Sequence, residues 1–404
     1  MLHFPLTLPS TSRTEQASRA ALASAVVLGM IVGLYPDPAE QAKTMGIYSF
    51  VSAGGASSVG LIVGGAITEV LGWHWVFLVN LPVGIAAVVA GQGLPASDSG
   101  PGLRAGADAL GALLVTAGLS LGVFAISRIP GTGAGIGELF GYGAFSVLLL
   151  AAFVVRQAKA ARPLLRLSVL RDRGVAGANI VVILVFAAGF GFQFLNALYL
   201  ERGLAFDSMQ TGLAFLPAPL MIGTMSLFFS ARLTARFGTR RVLLTGLAAL
   251  GAGLVLLSRA PVNGQYWSDV APSLVVQGVG MGLAVPAVIM LAMSGAGPRD
   301  AGLASGLNNT AQQAGAAIGL AVLATVATSH SNTLLARGSE QVQAMRDGYS
   351  LAFLCAGGFV LLAWAVVFLM LRDASPRVRG TDSASSSARS ESHGSRPTGP
   401  PISR

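Results

Sequence analysis

The sequence is short of charge, cysteine and histidine, and each shortage closes off a class of function. Charged side chains make up 11% of its 404 residues, where an ordinary soluble domain carries about 25%. A soluble fold of this length needs a charged surface, so a soluble enzyme is set aside, as is a disordered chain. A single cysteine, Cys355, excludes an internal disulfide and a cysteine-based metal site. The four histidines, His3, His74, His330 and His393, are scattered. No His-Glu-x-x-His pair, Gly-x-Ser-x-Gly elbow or Walker loop occurs, so the chain is not read as an enzyme or an ATP-driven pump, and no metal or cofactor is expected. The net charge of +9 does not point to nucleic acid, because no stretch offers a basic face interleaved with aromatics.

What is abundant is apolar length. Hydrophobic residues make up 53% of the chain, and crossing about 30 Å of hydrocarbon takes about 20 mostly apolar residues in a helix. Eleven runs qualify: 17–35, 44–71, 75–90, 107–126, 139–155, 175–199, 211–230, 242–257, 271–293, 301–328 and 349–371. The first run, preceded by Arg13 and Arg19, has features of a signal peptide. It ends in Tyr35-Pro36-Asp37-Pro38 with no small-x-small cleavage site, and is read as a span. With loops assigned to alternate sides, nineteen Lys and Arg fall on one side and seven on the other. The positive-inside rule makes the richer side, which holds the C-terminus, cytoplasmic, with the N-terminus outside. The expected fold is an all-α polytopic protein of the cell membrane with the lipid bilayer as its principal partner. Its expected parts are an N-terminal tail (1–16), three spans (17–91), two further spans (107–158), six spans (175–372) and a cytoplasmic tail (373–404). The tail is too poor in large apolar residues to fold.

Several motifs lie along these runs. The stretch Gly54-Gly55-Ala56-Ser57-Ser58-Val59-Gly60-Leu61-Ile62-Val63-Gly64-Gly65 is dense in glycine, and Ala56, Gly60 and Gly64 share a helix face suited to close backbone approach in lipid. It is followed by Trp73-His74-Trp75-Val76-Phe77-Leu78-Val79-Asn80-Leu81-Pro82. Further on come Thr211-Gly212-Leu213-Ala214-Phe215-Leu216-Pro217 and Ala231-Arg232-Leu233-Thr234-Ala235-Arg236-Phe237-Gly238-Thr239-Arg240-Arg241. Span 301–328 opens Ala301-Gly302-Leu303-Ala304-Ser305-Gly306-Leu307-Asn308-Asn309-Thr310-Ala311-Gln312-Gln313. In order and spacing these resemble the fourteen-span drug:proton antiporters of the major facilitator superfamily, over residues 17–372.

The resemblance implies a major facilitator fold with two extra linker spans and no cofactor. It marks Gly55, Gly60, Gly64 and Gly65 as the antiporter motif, with Leu61 where the family usually has proline and His74 where it has arginine. It marks Arg236, Gly238, Arg240 and Arg241 as the second copy of the cytoplasmic loop motif, with Ala235 at the acidic position. Counted against the family, run 17–35 is the fourth span, so the first three spans are expected to be absent. The implied activity is secondary active export of small amphipathic compounds in exchange for protons, by alternating access. Two alternatives stay open: a truncated remnant that does not transport, and a facilitator or importer without proton coupling.

None of the 17 acids lies in mid-span. Glu69, near the outer end of its span, is the candidate for proton coupling, against a merely solvated helix end. Asp108 lies near an inner end. Amides are better placed. Gln193 and Asn196 are three apart on one face, Asn308 and Gln312 form one i, i+4 pair, Asn309 and Gln313 another, and Asn80 precedes Pro82. These are candidate cavity residues, or else interhelical hydrogen-bonding groups. Phe186, Phe190, Phe192 and Phe194 are candidate apolar contacts, or else core and lipid-facing aromatics. Gly278-Val279-Gly280-Met281-Gly282 lacks the spacing of a dinucleotide fingerprint.

Overall fold

A computed structural model of the chain describes residues 31, 38–49, 51, 56–70, 72–79, 81–82, 84–86, 108–127, 136–160, 173–261, 264–294 and 301–370. The regular structure of these residues is helical. The principal helices are α1 (Pro38–Ser49), α2 (Ala56–Val70), α3 (Trp73–Leu78), α4 (Ala109–Ser127) and α5 (Ile136–Lys159). They continue with α6 (Arg173–Leu198), α7 (Ser208–Phe237), α8 (Thr239–Ser258), α9 (Ala271–Met293), α10 (Ala301–Ala336) and α11 (Gln341–Met370). Among the described residues, α5 to α11 are seven helices long and apolar enough to cross a membrane, and α4 carries a shorter apolar stretch, Leu110–Ala125. Of the eleven expected spans, the first lies almost wholly outside the described residues. Run 44–71 corresponds to α1 and α2, with 50 and 52–55 undescribed between them, and run 75–90 is described only in part.

The expected ends move most at α7, which runs seven residues past 230 to Phe237, and at α10 and α11. Helix α10 continues to Ala336, eight residues beyond the apolar run, and α11 begins at Gln341, eight residues before its run. The added turns carry Ser329, His330, Asn332, Gln343 and Arg346, so hydropathy marked the hydrocarbon crossing while the backbone stayed helical past it.

Helices α6 to α11 pack together, with α8 on α9, α6 on α10, and α11 on α8, α10 and α6. The core lies along helical faces: Val181, Val185, Ala188, Phe192 and Leu195 on α6, Leu243, Leu247, Leu250 and Leu254 on α8, and Phe353, Ala356 and Val360 on α11. Phe192 and Phe353 pair at 5.8 Å between ring centroids. The outside is as apolar as the inside: Leu361 is 71% exposed and Leu148 61%. An exposed apolar surface of this kind is one for lipid to cover. The α4–α5 pair packs internally, and α4 also touches α10.

Glycine sets how close the helices come. A Cβ at Gly278 or Gly282 would meet the carbonyl oxygens of Ala218 (2.6 Å) and Ile222 (2.8 Å) on α7, and one at Gly280 would meet the Gly246 oxygen on α8 at 2.8 Å. The Gly-x-Gly-x-Gly run thus lets α9 press on two neighbours at once. On α10, Gly315 and Gly319 lie against the backbone of Ile183 and Ala187 on α6. Three glycines among the described residues take positive φ, the first being Gly72 (φ +89°) between α2 and α3. Gly238 (φ +86°) joins α7 to α8, and Gly338 (φ +85°) lies between α10 and α11. Helix α7 is broken by Pro217 and Pro219 and carries a π-helical segment, Met225–Ser230; α9 contains Pro286.

Candidate substrate cavity

The middle turns of α6, α7, α9 and α10, with Tyr48 from α1, enclose a cavity of about 270 Å³. Besides Tyr48, α6 gives Phe186, Phe190, Phe192 and Gln193, α7 gives Phe215 and Pro219, α9 gives Gln277 and Met281, and α10 gives Gln312. The small residues on the wall are Gly189 and Ala218. Gly189 leaves room for the Met281 thioether methyl, which lies 3.1 Å from where a Cβ would stand.

No charged side chain lines this space among the described residues. Its polar atoms are carboxamides and the Tyr48 hydroxyl. Gln312 Nε2 donates to Asn308 Oδ1 at 2.5 Å, which fixes that amide and leaves its oxygen as an acceptor. Gln193 and Gln277 have no hydrogen-bond partner among the described residues, so their donors and acceptors remain for a guest. An uncharged wall of rings and amides suits an apolar or aromatic body carrying hydroxyl, carbonyl or amide groups.

The expected site residues divide. Gln193 and Gln312 line the cavity; Asn308 is buried behind Gln312, and Asn309 lies beside it on α10. Asn196 is wholly buried, off the cavity wall, and neither of its amide atoms has a partner among the described residues. Phe186, Phe190 and Phe192 line the cavity, whereas Phe194 does not. Asn80 and Gly55 lie outside the described residues. Gln277 and Tyr48 are wall residues that sequence reasoning missed. The one signal for Gln277 is a lone amide in the otherwise apolar run 271–293.

On α2, a Cβ at Gly60 or Gly64 would meet nothing within 4 Å among the described residues, while one at Gly65 would meet Ser208 O of α7 at 3.1 Å. Of these three glycines, Gly65 is the one that stands against α7. Glu69 is exposed near the end of α2, away from the cavity. In the turn 236–241, Arg240 Nη2 donates to the Phe368 carbonyl in the last turn of α11 at 2.9 Å, and its guanidinium lies 5.4 Å over the Phe368 ring. It thus serves an unpaired C-terminal carbonyl. Arg236 stacks on Phe237, and Arg241 is exposed.

Asp108 lies just ahead of α4 and is buried. It accepts from Gly111 N (2.9 Å), Arg156 Nε (2.7 Å) and Gln157 Nε2 (3.0 Å), tying the start of α4 to the last turns of α5. The Gly111 amide, then Arg156, holds its carboxyl below the usual carboxylate range. It stays ionised and acts as a clamp. Its position before an apolar helix was legible in the sequence; its partners on the next helix were not.

The profile of the Major Facilitator Superfamily matches residues 16–320 and 178–398. The chain belongs to this superfamily. Its membership carries the reading of a multi-pass, non-enzymatic transporter that moves small molecules across a membrane. The superfamily chain is similar to the puromycin resistance protein of Streptomyces alboniger (33% identity, 93% of this chain and 75% of that protein). It is also similar to the cephamycin export protein of Amycolatopsis lactamdurans (33%, 79% and 66%). A methylenomycin A resistance protein of Streptomyces coelicolor is 27% identical over 80% of this chain and 66% of its own length. The chain thus spans two thirds to three quarters of the length of these relatives.

Proposed function

We propose that the chain is a secondary active exporter of small, uncharged or weakly charged amphipathic compounds, in the fourteen-span drug:proton antiporter branch. The observation that carries this reading is the cavity walled by Phe186, Phe190, Phe192, Gln193, Gln277 and Gln312 in the middle of the apolar helices. The names of its relatives, which speak of antibiotic resistance and export, point the same way. Alternating access would expose this cavity to each side in turn. In this reading the turn at 236–241 and the C-terminus face the cytoplasm. Asp108 is held ionised by its clamp, so Glu69, exposed and without a partner among the described residues, is the carboxylate we assign to proton exchange.

The test is transport in everted vesicles carrying the full chain, with puromycin, cephamycin and methylenomycin as probes. The expected result is accumulation of at least one probe above empty vesicles, abolished when the proton gradient is collapsed. Gln277→Leu removes an amide that bonds the guest, a loss of roughly 0.5–1.5 kcal/mol, so the apparent KM should rise about two- to tenfold. Glu69→Gln should leave probe binding intact and uncouple uptake from the gradient. Accumulation that persists without a gradient would defeat the antiport reading. A Gln277→Leu variant with unaltered KM would remove the cavity from it.

A further inference from the structure

A second pair of cavities lies at the end of the helices opposite the 236–241 turn, where α6 ends and α10 passes to α11. One measures about 450 Å³ and the other about 230 Å³, and the two share Arg202, Gln341, Met345 and Tyr349. Along α6 the lining passes from the central cavity at Gln193 to the smaller of these at Phe194. Arg202, nine residues after Gln193 and within the π-helical turn Tyr199–Gly203, stands roughly 12–14 Å farther along.

The charges here are unequal in availability. Arg346 lines the larger cavity, but its Nη1 pairs with Asp347 at 2.8 Å and its Nε donates to the Ala260 carbonyl at 3.0 Å. Asp269 accepts from Gln265 N, and Glu201 and Glu340, the exposed sequence neighbours of Arg202 and Gln341, line neither cavity. Arg202 lies beside the Tyr349 hydroxyl and has no carboxylate within 4 Å among the described residues. No acidic side chain lines either cavity. Behind Arg202, Leu195, Leu198 and Leu335 form an apolar wall.

We propose that this vestibule is an anion-recognising site, separate from the central cavity, for compact amphipathic organic anions. A carboxylate or sulfonate pairs with Arg202, with Gln341 as a further donor, and the ring or aliphatic body rests on the leucine wall. Arginine presents a planar fork that meets such an oxyanion through two bonds, and the apolar wall excludes competing water on one side. A small cavity of about 230 Å³ fits a compact body better than a long acyl chain.

The test uses the full chain in neutral maltoside micelles, titrated calorimetrically with naphthalene-1-sulfonate and with its uncharged analogue naphthalene-1-sulfonamide. The sulfonate should bind at least tenfold tighter, about 1.4 kcal/mol, and the preference should weaken with salt. Arg202→Gln should abolish the preference, and Arg202→Lys should retain part of it. Equal binding of the two probes by the unaltered chain, which involves no substitution, would overturn the proposal. So would a preference that survives Arg202→Gln. Loss of the preference in Gln277→Leu would place the anion in the central cavity and overturn the proposal. Retention of phosphatidylglycerol by the unaltered chain, seen by native mass spectrometry and lost in Arg202→Gln, would assign Arg202 to a lipid headgroup and overturn it as well.

Discussion

Gly319→Ala tests how the cavity is held shut along the seam of α6 and α10. A methyl at Gly319 would overlap the carbonyl oxygen and Cα of Ala187, and would stand 2.5 Å from that residue's carbonyl carbon. Non-bonded carbons prefer about 3.5–4.0 Å, so the two helices must part by roughly 1 Å or more. The obstacle is backbone and cannot turn aside, which puts the cost near the top of the usual overpacking range of about 1–3 kcal/mol. Replacing helical glycine by alanine returns about 0.8–1 kcal/mol, leaving a net loss of roughly 2 kcal/mol. Gly251→Ala is the control: its Cβ would sit 3.6 Å from Val360 Cγ1, an ordinary contact, so only the gain remains. Thermal unfolding in neutral detergent should place Gly319→Ala roughly 2–3 °C below the unaltered chain, with Gly251→Ala level with it or above. Because α6 carries Gln193 and α10 carries Gln312, the same substitution should weaken probe uptake. A Gly319→Ala protein that melts at or above the unaltered chain, or a Gly251→Ala protein that melts equally low, refutes the argument that backbone contact sets this seam.

Three further outcomes are expected. Asn196→Leu removes two buried amide atoms that have no partner among the described residues, so its melting temperature should rise, by about 1 kcal/mol or more in stability; a fall would show that Asn196 is bonded in the working protein. Gly238→Ala puts a side chain at φ +86°, ψ 150°, a region nearly closed to any residue but glycine, and should cost about 1–3 kcal/mol, read from the same melting curves, while Gly357→Ala, with nothing within 4 Å of its Cβ among the described residues, should cost nothing. Asp108 has its carboxyl held below the ordinary 3.8, so its clamp contributes fully above that pH and is lost as pH falls through the lower folded value. Melting curves from pH 7 down to pH 3 should therefore show a loss of stability at the acid end that is smaller in Asp108→Asn, already without its carboxylate, than in the unaltered chain.

What the sequence made legible is what depends on composition over a whole helix. The run 271–293 matches α9 residue for residue, because a stretch without charge can be soluble nowhere but in lipid or a core. Properties that depend on direction were not legible. Gln277 and Asn196 are both amides in apolar runs, yet one faces the cavity and the other is sealed in the core. Nothing local separates them, since the face each presents is decided by which helices pack alongside. The same holds for Gly60, Gly64 and Gly65: their spacing announces a close approach, and only the position of Ser208 tells which of them meets α7. Asp108 goes further, because its three partners come from its own first turn and from the far end of the next helix, 48 and 49 residues away. In a chain solvated by lipid, almost every position tolerates an apolar side chain. The few glycines and amides therefore carry most of the directional information, and a helix seam such as α6 with α10 is where a single methyl should be felt in both stability and transport.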